Sequence, residues 1–464
     1  MIKIKPDSKK ISFKNNDLFN CLKKEGRIVH LVLIATKPDI IKQAPLILEL
    51  KRKKKAVLVV HSGQHYDWNL SGGMEQEFGI IPDINLNVRG ALYQQQSQII
   101  ARLGFILEQL KAIKKQVIPY IYGDTTTAVA GGVAAFANMI GTAHVEAGLR
   151  TMSPPEKIII GLKGNFDVEE YFCRLRNRQG WKKGSYEPYP EQFDTRAAAP
   201  SAGIHFAPTQ LNKRHLIDEG FDKGRIFVVG NPVSDALGLI KNKINYQALE
   251  EKFPFVSSPG LIRICVHRRE NITSCHRFKA IMEAVFDLVL EGRNVLLVSL
   301  KGTENALKAF GLTGELKRLA KAHKNFHYYP VIPFYSDVVG IMKKCALVVT
   351  DSGSIQEETN ILGVPGVVLR FNTDRPEAIF NGSNILAPPI NKKIITRIIR
   401  EVCDNTALNH KMKSASCLYG EDVAKKMIQC IDFTTKNRAL FELFEHQRLG
   451  LSKRSFWRSG SSKW

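Results

Sequence analysis

Asp124 in a Gly-Asp-Thr turn, Glu146 after His144-Val145, and the run His267-Arg268-Arg269-Glu270-Asn271 are the residues whose types and settings point first to chemistry. Carboxylates and a histidine can move protons, and arginines can hold an anionic group. Each follows a short apolar run that reads as a strand, and in open parallel sheets ligands bind beyond the carboxyl ends of the strands. The polar residues at those ends are therefore the candidates. In the first half they are Thr36 and Lys37, His61 with Gln64 and His65, Asp124 and Thr125, and His144 and Glu146. The second half offers His267 to Asn271, Asp351-Ser352-Gly353-Ser354, and Arg370 to Arg375. Acids and bases from both halves would converge on one cleft.

Several of these have a purely structural reading as well. Asp124 before three threonines is a good helix N-cap. Nothing near Glu146 in sequence needs it as a cap. Asp351 to Ser354 can also cap a helix, but their small side chains would expose the helix N-terminus, where free amides and the dipole favour a diphosphate. A histidine and two arginines at one strand end concentrate positive charge for no benefit to folding, so HRREN reads as functional.

The elements that must position these groups alternate along the chain. HLVLIA (30–35), AVLVVH (56–61), VIPYIY (117–122), TAHVE (142–146) and GIHFAP (203–208) read as strands, with helical periods between them. The regularity breaks between Thr151 and Ala199. A second series follows a linker at 253–260: LIRICVH (261–267), NVLLVSL (294–300), NFHYYPV (325–331), ALVVTDSGS (346–354) and GVVLR (366–370). Nearly continuous apolar strands alternating with helices predict parallel sheets covered on both faces. The expected fold is α/β, with two Rossmann-like, doubly wound parallel-sheet domains facing a cleft. The expected divisions are a polar extension at 1–27, a first domain at 28–230 with an insertion at about 152–187, a second domain at 231–432, and a basic tail at 433–464.

Composition narrows the function classes. The 464 residues are 44% hydrophobic and 9% aromatic, enough for full cores. No apolar run is long enough to span a bilayer, and the charged start MIKIKPDSKK has no secretion-signal core, so membrane insertion is not expected and a cytoplasmic location is. Eight scattered cysteines without a CxxC read as reduced thiols. Cys265, His267, Cys275 and His276 lack the paired spacing of a zinc site, so no metal is expected. The net charge of +23 lies partly in short runs such as KRKKK at 51–55. Such runs attract phosphate-bearing ligands or nucleic acid. The basic runs lack interleaved aromatics and any binding module, so nucleic acid is a remote alternative.

The motifs resolve this. ATKPDIIKQAPLI (35–47), YGDTTTAVAGGVAAF (122–136), AHVEAGLRT (143–151), PEQFDTR (190–196), RIFVVGNPVSDAL (225–237), HRREN (267–271), TDSGSIQEETNILGVPGVVLR (350–370) and DRPEA (374–378) together resemble the non-hydrolysing UDP-N-acetylglucosamine 2-epimerase family, from about His30 to Ile431. The resemblance implies the glycosyltransferase-B arrangement, with a final helix returning to the first domain. It implies reversible conversion of UDP-N-acetylglucosamine to UDP-N-acetylmannosamine by elimination and re-addition of UDP, with no cofactor. Asp124, Glu146 and Glu191 would be the carboxylates at the sugar, and His267 the diphosphate-side or proton-handling histidine. Ser352, Gly353 and Ser354 would hold phosphate, helped by Lys42 and Arg375, Glu358 would bind the ribose, and Lys37 and Arg268 would be further substrate-binding residues. The partners implied are the UDP-sugar and a second copy in a homodimer.

This chain departs from the family pattern in places. Lys37-Pro38-Asp39 stands where members carry Arg-Pro-Glu, and PEQFDTR replaces a pattern nearer PEExNR, changing Gln192 and Asp194. An insertion of roughly 30 residues, with Arg174, Arg176, Arg178, Trp181, Lys182 and Lys183, separates Glu146 from Glu191. It reads either as an intrinsic lid or as a mobile surface loop. Gln64-His65-Tyr66 and Tyr93-Gln94 lack the two arginines that in bacterial relatives meet a second, activating UDP-N-acetylglucosamine. The alternatives are a 2-epimerase of another UDP-2-acetamido sugar, such as a 2,3-diacetamido uronic acid that the extra positive charge would suit, a hydrolysing epimerase, or a glycosyltransferase of the same fold.

Overall fold

In the first half, β2 (Ile28–Ile34) alternates its side chains between two apolar clusters, Val29, Leu31 and Leu33 facing one and Val32 and Ile34 the other. That is the signature of a strand buried on both faces. The computed structural model describes residues 10–63 and 73–436. Gln64 to Tyr66 and the tail beyond 436 lie outside the described residues.

Around β2 are β1 (Ser12–Phe13), β3 (Ala56–His61), β4 (Ile84–Asn85), β5 (Gln116–Tyr122), β6 (Thr142–Val145), β9 (Ala202–Ala207) and β10 (Ile226–Val228), in the order β1-β4-β3-β2-β5-β6-β9-β10. All pairs are parallel except β1 on β4. The N-terminal segment is thus not wholly solvated. Ile11 and Leu22 are buried in the sheet's core, and Phe13, Leu18 and Phe19 pack against it. The second sheet holds β11 (Ile262–Cys265), β12 (Val295–Ser299), β13 (Phe326–Pro330), β14 (Leu347–Thr350), β15 (Gly366–Val368) and β16 (Asn384–Leu386), all parallel, in the order β13-β12-β11-β14-β15-β16. The fold is α/β with two parallel-sheet domains, as expected. The last helix, Val423–Lys436, returns to the first: its Val423, Met427, Ile428 and Ile431 share a core with Val32 and Ile34. No helix among the described residues is long and apolar enough to cross a membrane.

Sequential strands reverse direction across the sheet between β2 and β5, and again between β11 and β14. These switch points open crevices at the strands' carboxyl ends. They bring Lys37 and Asp124 from one sheet to face His267 and Ser352 from the other.

The segment at 152–187 is neither a loop nor a lid over the cleft. β7 (Met152–Ser153) pairs antiparallel with β8 (Lys182–Lys183), and the helices Glu156–Ile160 and Val168–Arg176 lie between them. Ile158, Leu162, Val168, Tyr171, Phe172, Leu175 and Trp181 are buried in the core of the second sheet. The Trp181 ring meets Phe380 edge-on at 5.0 Å, and the Tyr171 hydroxyl donates to the Leu386 carbonyl at 3.0 Å. The amphipathic spacing of Val168, Tyr171, Phe172 and Leu175 accounts for this packing.

Candidate active site

A cavity of about 480 Å³ lies between the two switch points, within the usual range for a small-molecule site. Lys37, Lys42, Asp124, Glu191, His267, Arg268, Ser352, Ser354, Glu358 and Arg375 line it, and Gly353 sits between the two serines. Glu146, expected beside them at the sugar, is not in the wall.

The first sheet supplies the carboxylates. Thr125, not Asp124, caps the helix Thr126–Ala137, accepting from the Ala128 amide at 3.2 Å, so the carboxyl of Asp124 is left for the cavity. Burial pushes Asp124 up to about 7; Arg375 opposes this, while Glu146 and Glu191 add to it. Gly123 just before it has φ +60°, and a Cβ there would stand 3.1 Å from a Glu146 oxygen, so both conformation and space call for glycine.

Glu146 itself has φ +61°, a backbone conformation that costs a non-glycine residue about 1 kcal/mol or more. Its carboxylate is held from every side. Oε1 accepts from Lys42 Nζ at 2.7 Å, Asn231 Nδ2 at 2.7 Å and Arg375 at 3.2 Å, and Oε2 accepts from the Tyr122 hydroxyl. Burial alone would raise its pKa, but Lys42 and Arg375 outweigh it and keep Glu146 ionised. Glu357 touches the same two cations, and burial together with the nearby Glu146 charge pushes it up. Glu146 therefore lies one layer beneath the cavity and fixes Lys42, Tyr122 and Arg375, which do face it.

The second sheet supplies a helix start with cations around it. Asp351 follows β14 and accepts from the amides of His267 at 3.0 Å and Arg268 at 2.9 Å and from Asn271 Nδ2 at 3.0 Å, which fixes the HRREN turn. The His267 ring is 30% exposed, and its Nδ1 stands 3.3 Å from Asp351. Enclosure by protein lowers its pKa, with Asp351 opposing. The helix Gly353–Leu362 points its N-terminus at the cavity. A Cβ at Gly353 would come within 3.0 Å of an Asp374 oxygen and 3.2 Å of the Arg375 guanidinium carbon, so glycine permits that arginine to lie over the helix start. A cation and a helix N-terminus side by side suit an anion between them. Arg268 pairs with Glu191 across the cleft. Further along, Glu358 accepts from the Tyr335 hydroxyl at 3.0 Å and is pushed up to about 7 by burial, which that bond opposes. Lys37 donates to the Ile332 carbonyl at 3.0 Å, and burial pushes it down to about 8.

Sequence reasoning missed Tyr122, Glu357 and Arg263, and it flagged Asp194 only as a departure. Asp194 lines the cavity beside Asp124 and Glu191 and accepts from the Thr126 hydroxyl at 3.1 Å; burial pushes it up to about 7. Tyr122 and Glu357 stand next to motif residues, but only the fold reveals that they share Glu146 and its cations. Of the insertion's cations, Arg176 and Arg178 lie over the Phe172 and Phe380 rings, and neither they nor Arg174, Lys182 and Lys183 line the cavity. Among the described residues no group of three or more His, Cys, Asp or Glu side chains is arranged to hold a metal.

The family model described as UDP-N-acetylglucosamine 2-epimerase matches residues 48–158 and 183–431. The chain belongs to the UDP-N-acetylglucosamine 2-epimerase family. It is 31% identical to the UDP-N-acetylglucosamine 2-epimerase of Bacillus subtilis, over 86% of this chain and 93% of that one. It is 28% identical to the Methanocaldococcus jannaschii enzyme, over 85% and 97%. Among solved structures, the Neisseria meningitidis UDP-GlcNAc 2-epimerase bound to UDP-GlcNAc superposes with a TM-score of 0.72 at 27% identity, covering 88% of this chain and 100% of that one. The M. jannaschii enzyme in complex with UDP-GlcNAc and UDP gives 0.70 at 26%, covering 88% and 99%. The two-domain architecture of this family is the glycosyltransferase-B type. The stretch the family model passes over, 159–182, is the part of this 2-epimerase family member that packs on its second sheet.

Proposed function

We propose that this chain interconverts UDP-N-acetylglucosamine and UDP-N-acetylmannosamine by eliminating and re-adding UDP. The observation that carries the reading is the placement of an anion site, made by His267, Arg375 and the helix start at Ser352 to Ser354, directly beside cavity-facing Asp124 and Glu191. A diphosphate on the first leaves the sugar against the second.

One carboxylate removes the C2 proton while the C1–O bond breaks. The C–H electrons become the C1–C2 double bond of a 2-acetamidoglucal, and UDP leaves with the C–O pair, steadied by the cations. The other carboxyl returns a proton to the opposite face of C2 as UDP re-adds at C1. The sequence is redox-neutral and calls for no redox cofactor. Glu358 is assigned to the ribose and Lys42 to the phosphate side.

Asp124, Glu191 and Asp194 line the cavity together with Arg268, which pairs with Glu191, so a substrate panel that includes a UDP-2,3-diacetamido uronate separates the neutral sugar from that alternative. Turnover in D2O tests the mechanism. The product must carry deuterium at C2, and epimerised product that keeps its original C2 hydrogen rejects it.

A homodimer is also proposed. Val133, Phe136 and Met139, along and just beyond the helix Thr126–Ala137, are 43%, 69% and 46% exposed, an apolar face suited to a second copy. Sedimentation of the full chain as a monomer at micromolar concentration would reject it. Eight free cysteines fit a reducing, cytoplasmic setting.

A further inference from the structure

Arg263 lies in the middle of β11, a strand with neighbours on both sides, and is 4% exposed. Its Nε and Nη1 are buried and meet no acceptor, and no carboxylate pairs with it among the described residues. A guanidinium has five donors, no acceptor, and does not deprotonate in proteins. Burying one unpaired is costly, and its persistence asks for a ligand that satisfies it. The side chain does not face solid core. It lines the cavity described above, beside Cys265 and Lys37, at the end walled by Val298, Leu300 and Ile332. Lys37, Glu358 and His267 all feel its charge, so the guanidinium lies within electrostatic reach of each.

The contacts among these groups say what would reach it. Asp124, Glu191 and Asp194 line the cavity together, the helix that starts at Gly353 reaches Glu358 five residues later where Tyr335 donates to it, and Val298, Leu300 and Ile332 pack with Cys265 in one apolar cluster next to Arg263 on the strand. A UDP-sugar bound with its diphosphate on the helix start sets its ribose by Glu358 and its flat base against Val298, Leu300 and Ile332. Arg263 precedes His267 by four residues, so its Cα lies roughly 13 Å back along the strand at 3.3 Å per residue. From there its long side chain extends within reach of Lys37 and Glu358, and a base set beyond a ribose at Glu358 would turn its edge to the guanidinium. In uracil that edge carries the C4 carbonyl, an acceptor. In cytosine it carries an amino group, a second donor that a guanidinium cannot accommodate.

We propose that Arg263 is a specificity-determining residue that donates to the C4 carbonyl of uracil and so selects uridine over cytidine nucleotides. The inference rests on the UDP-sugar reading of this same site and deepens it.

The test is calorimetric titration of the full chain and of Arg263→Leu with UDP and with CDP. The unsubstituted protein should prefer UDP. Arg263→Leu should weaken UDP binding roughly 10- to 100-fold, as for loss of a hydrogen bond from a charged donor, while CDP changes little, so the preference collapses. Epimerisation by the variant should suffer in KM with kcat nearly kept. The ligand-free variant should melt no lower than the parent, because an unpaired buried charge has been removed, whereas a residue needed for folding would lower the melting temperature. A folded Arg263→Leu that keeps the parent's UDP-to-CDP ratio overturns the inference and leaves the epimerase reading intact. A parent protein that neither binds UDP nor turns over UDP-N-acetylglucosamine overturns that reading, and this one with it.

Discussion

Asp124 and Glu146 stand on neighbouring strands and behave oppositely, because one faces the cavity with little support and the other is surrounded by donors. Asp124 is pushed up to about 7, so it titrates where the reaction runs. A limb near pH 7 is therefore expected in kcat/KM, and Asp124→Asn should remove it while lowering kcat by about 100-fold or more. Stability gives the contrast. Asp124 binds its proton more tightly folded than unfolded, so its contribution falls as pH rises from about 4 towards 7, and Asn at pH 8 should cost the fold nothing. Glu146 is held ionised, so its contribution is present above its unfolded value and is lost as pH falls. Glu146→Gln should destabilise at pH 8 by about 3–5 kcal/mol, since Lys42 and Arg375 are left short of charge, and should lower kcat through their misplacement. Urea titrations of both variants at pH 8 check this; equal stability would remove Glu146 from its supporting role. At this scale the motifs were legible as residue types at strand ends. Which carboxylate faces the cavity was not, because that depends on a left-handed Glu146 backbone and on donors up to 229 residues away.

Among elements, the strands were the most legible, since burial on both faces leaves near-continuous apolar runs that nothing else in a soluble chain imitates. The 152–187 segment was the least. Its helix Val168–Arg176 has an apolar face, but the surface that covers it, Phe380, Ile385 and Leu386, comes about 200 residues later and carries no sequence mark of the pairing. The chain thus leaves the first domain at β7, packs on the second, and returns at β8 before the helix Glu191–Ala198 presents Glu191. The packing makes this excursion part of a core. Trp181→Ala should lower stability by about 3–5 kcal/mol, the range for removing a large buried aromatic, with KM for the nucleotide sugar unchanged because Trp181 does not line the cavity. Chemical denaturation and steady-state kinetics measure the two. A variant of normal stability would return the segment to the status of a surface loop.

For the whole molecule the decisive property is how firmly the two domains close on a reactive intermediate. Lys42 with Glu357, Arg375 with Glu146, and Arg268 with Glu191 all cross the cleft floor. These groups also face or support the substrate, so altering them cannot separate closure from chemistry. Glu77 can. It belongs to the first domain, lies outside the cavity wall, and caps a helix of the second: its carboxylate accepts from the amides of Tyr335 at 2.7 Å and Ser336 at 2.9 Å. A carboxylate at a helix N-terminus contributes roughly 0.5–2 kcal/mol as a cap. Here that energy also holds the domains together at the nucleoside end. Elimination leaves UDP and the glucal as separate molecules for part of each cycle, and their retention depends on the cleft staying shut against water. Glu77→Ala should therefore leave the fold and the C2 exchange in place but let more turnovers end as free UDP and 2-acetamidoglucal. Product NMR over a time course reads that fraction directly. If the partition between epimerised sugar and released glucal is the same in Glu77→Ala as in the parent, the contact across the domains has no part in closure and Glu77 is only a helix cap.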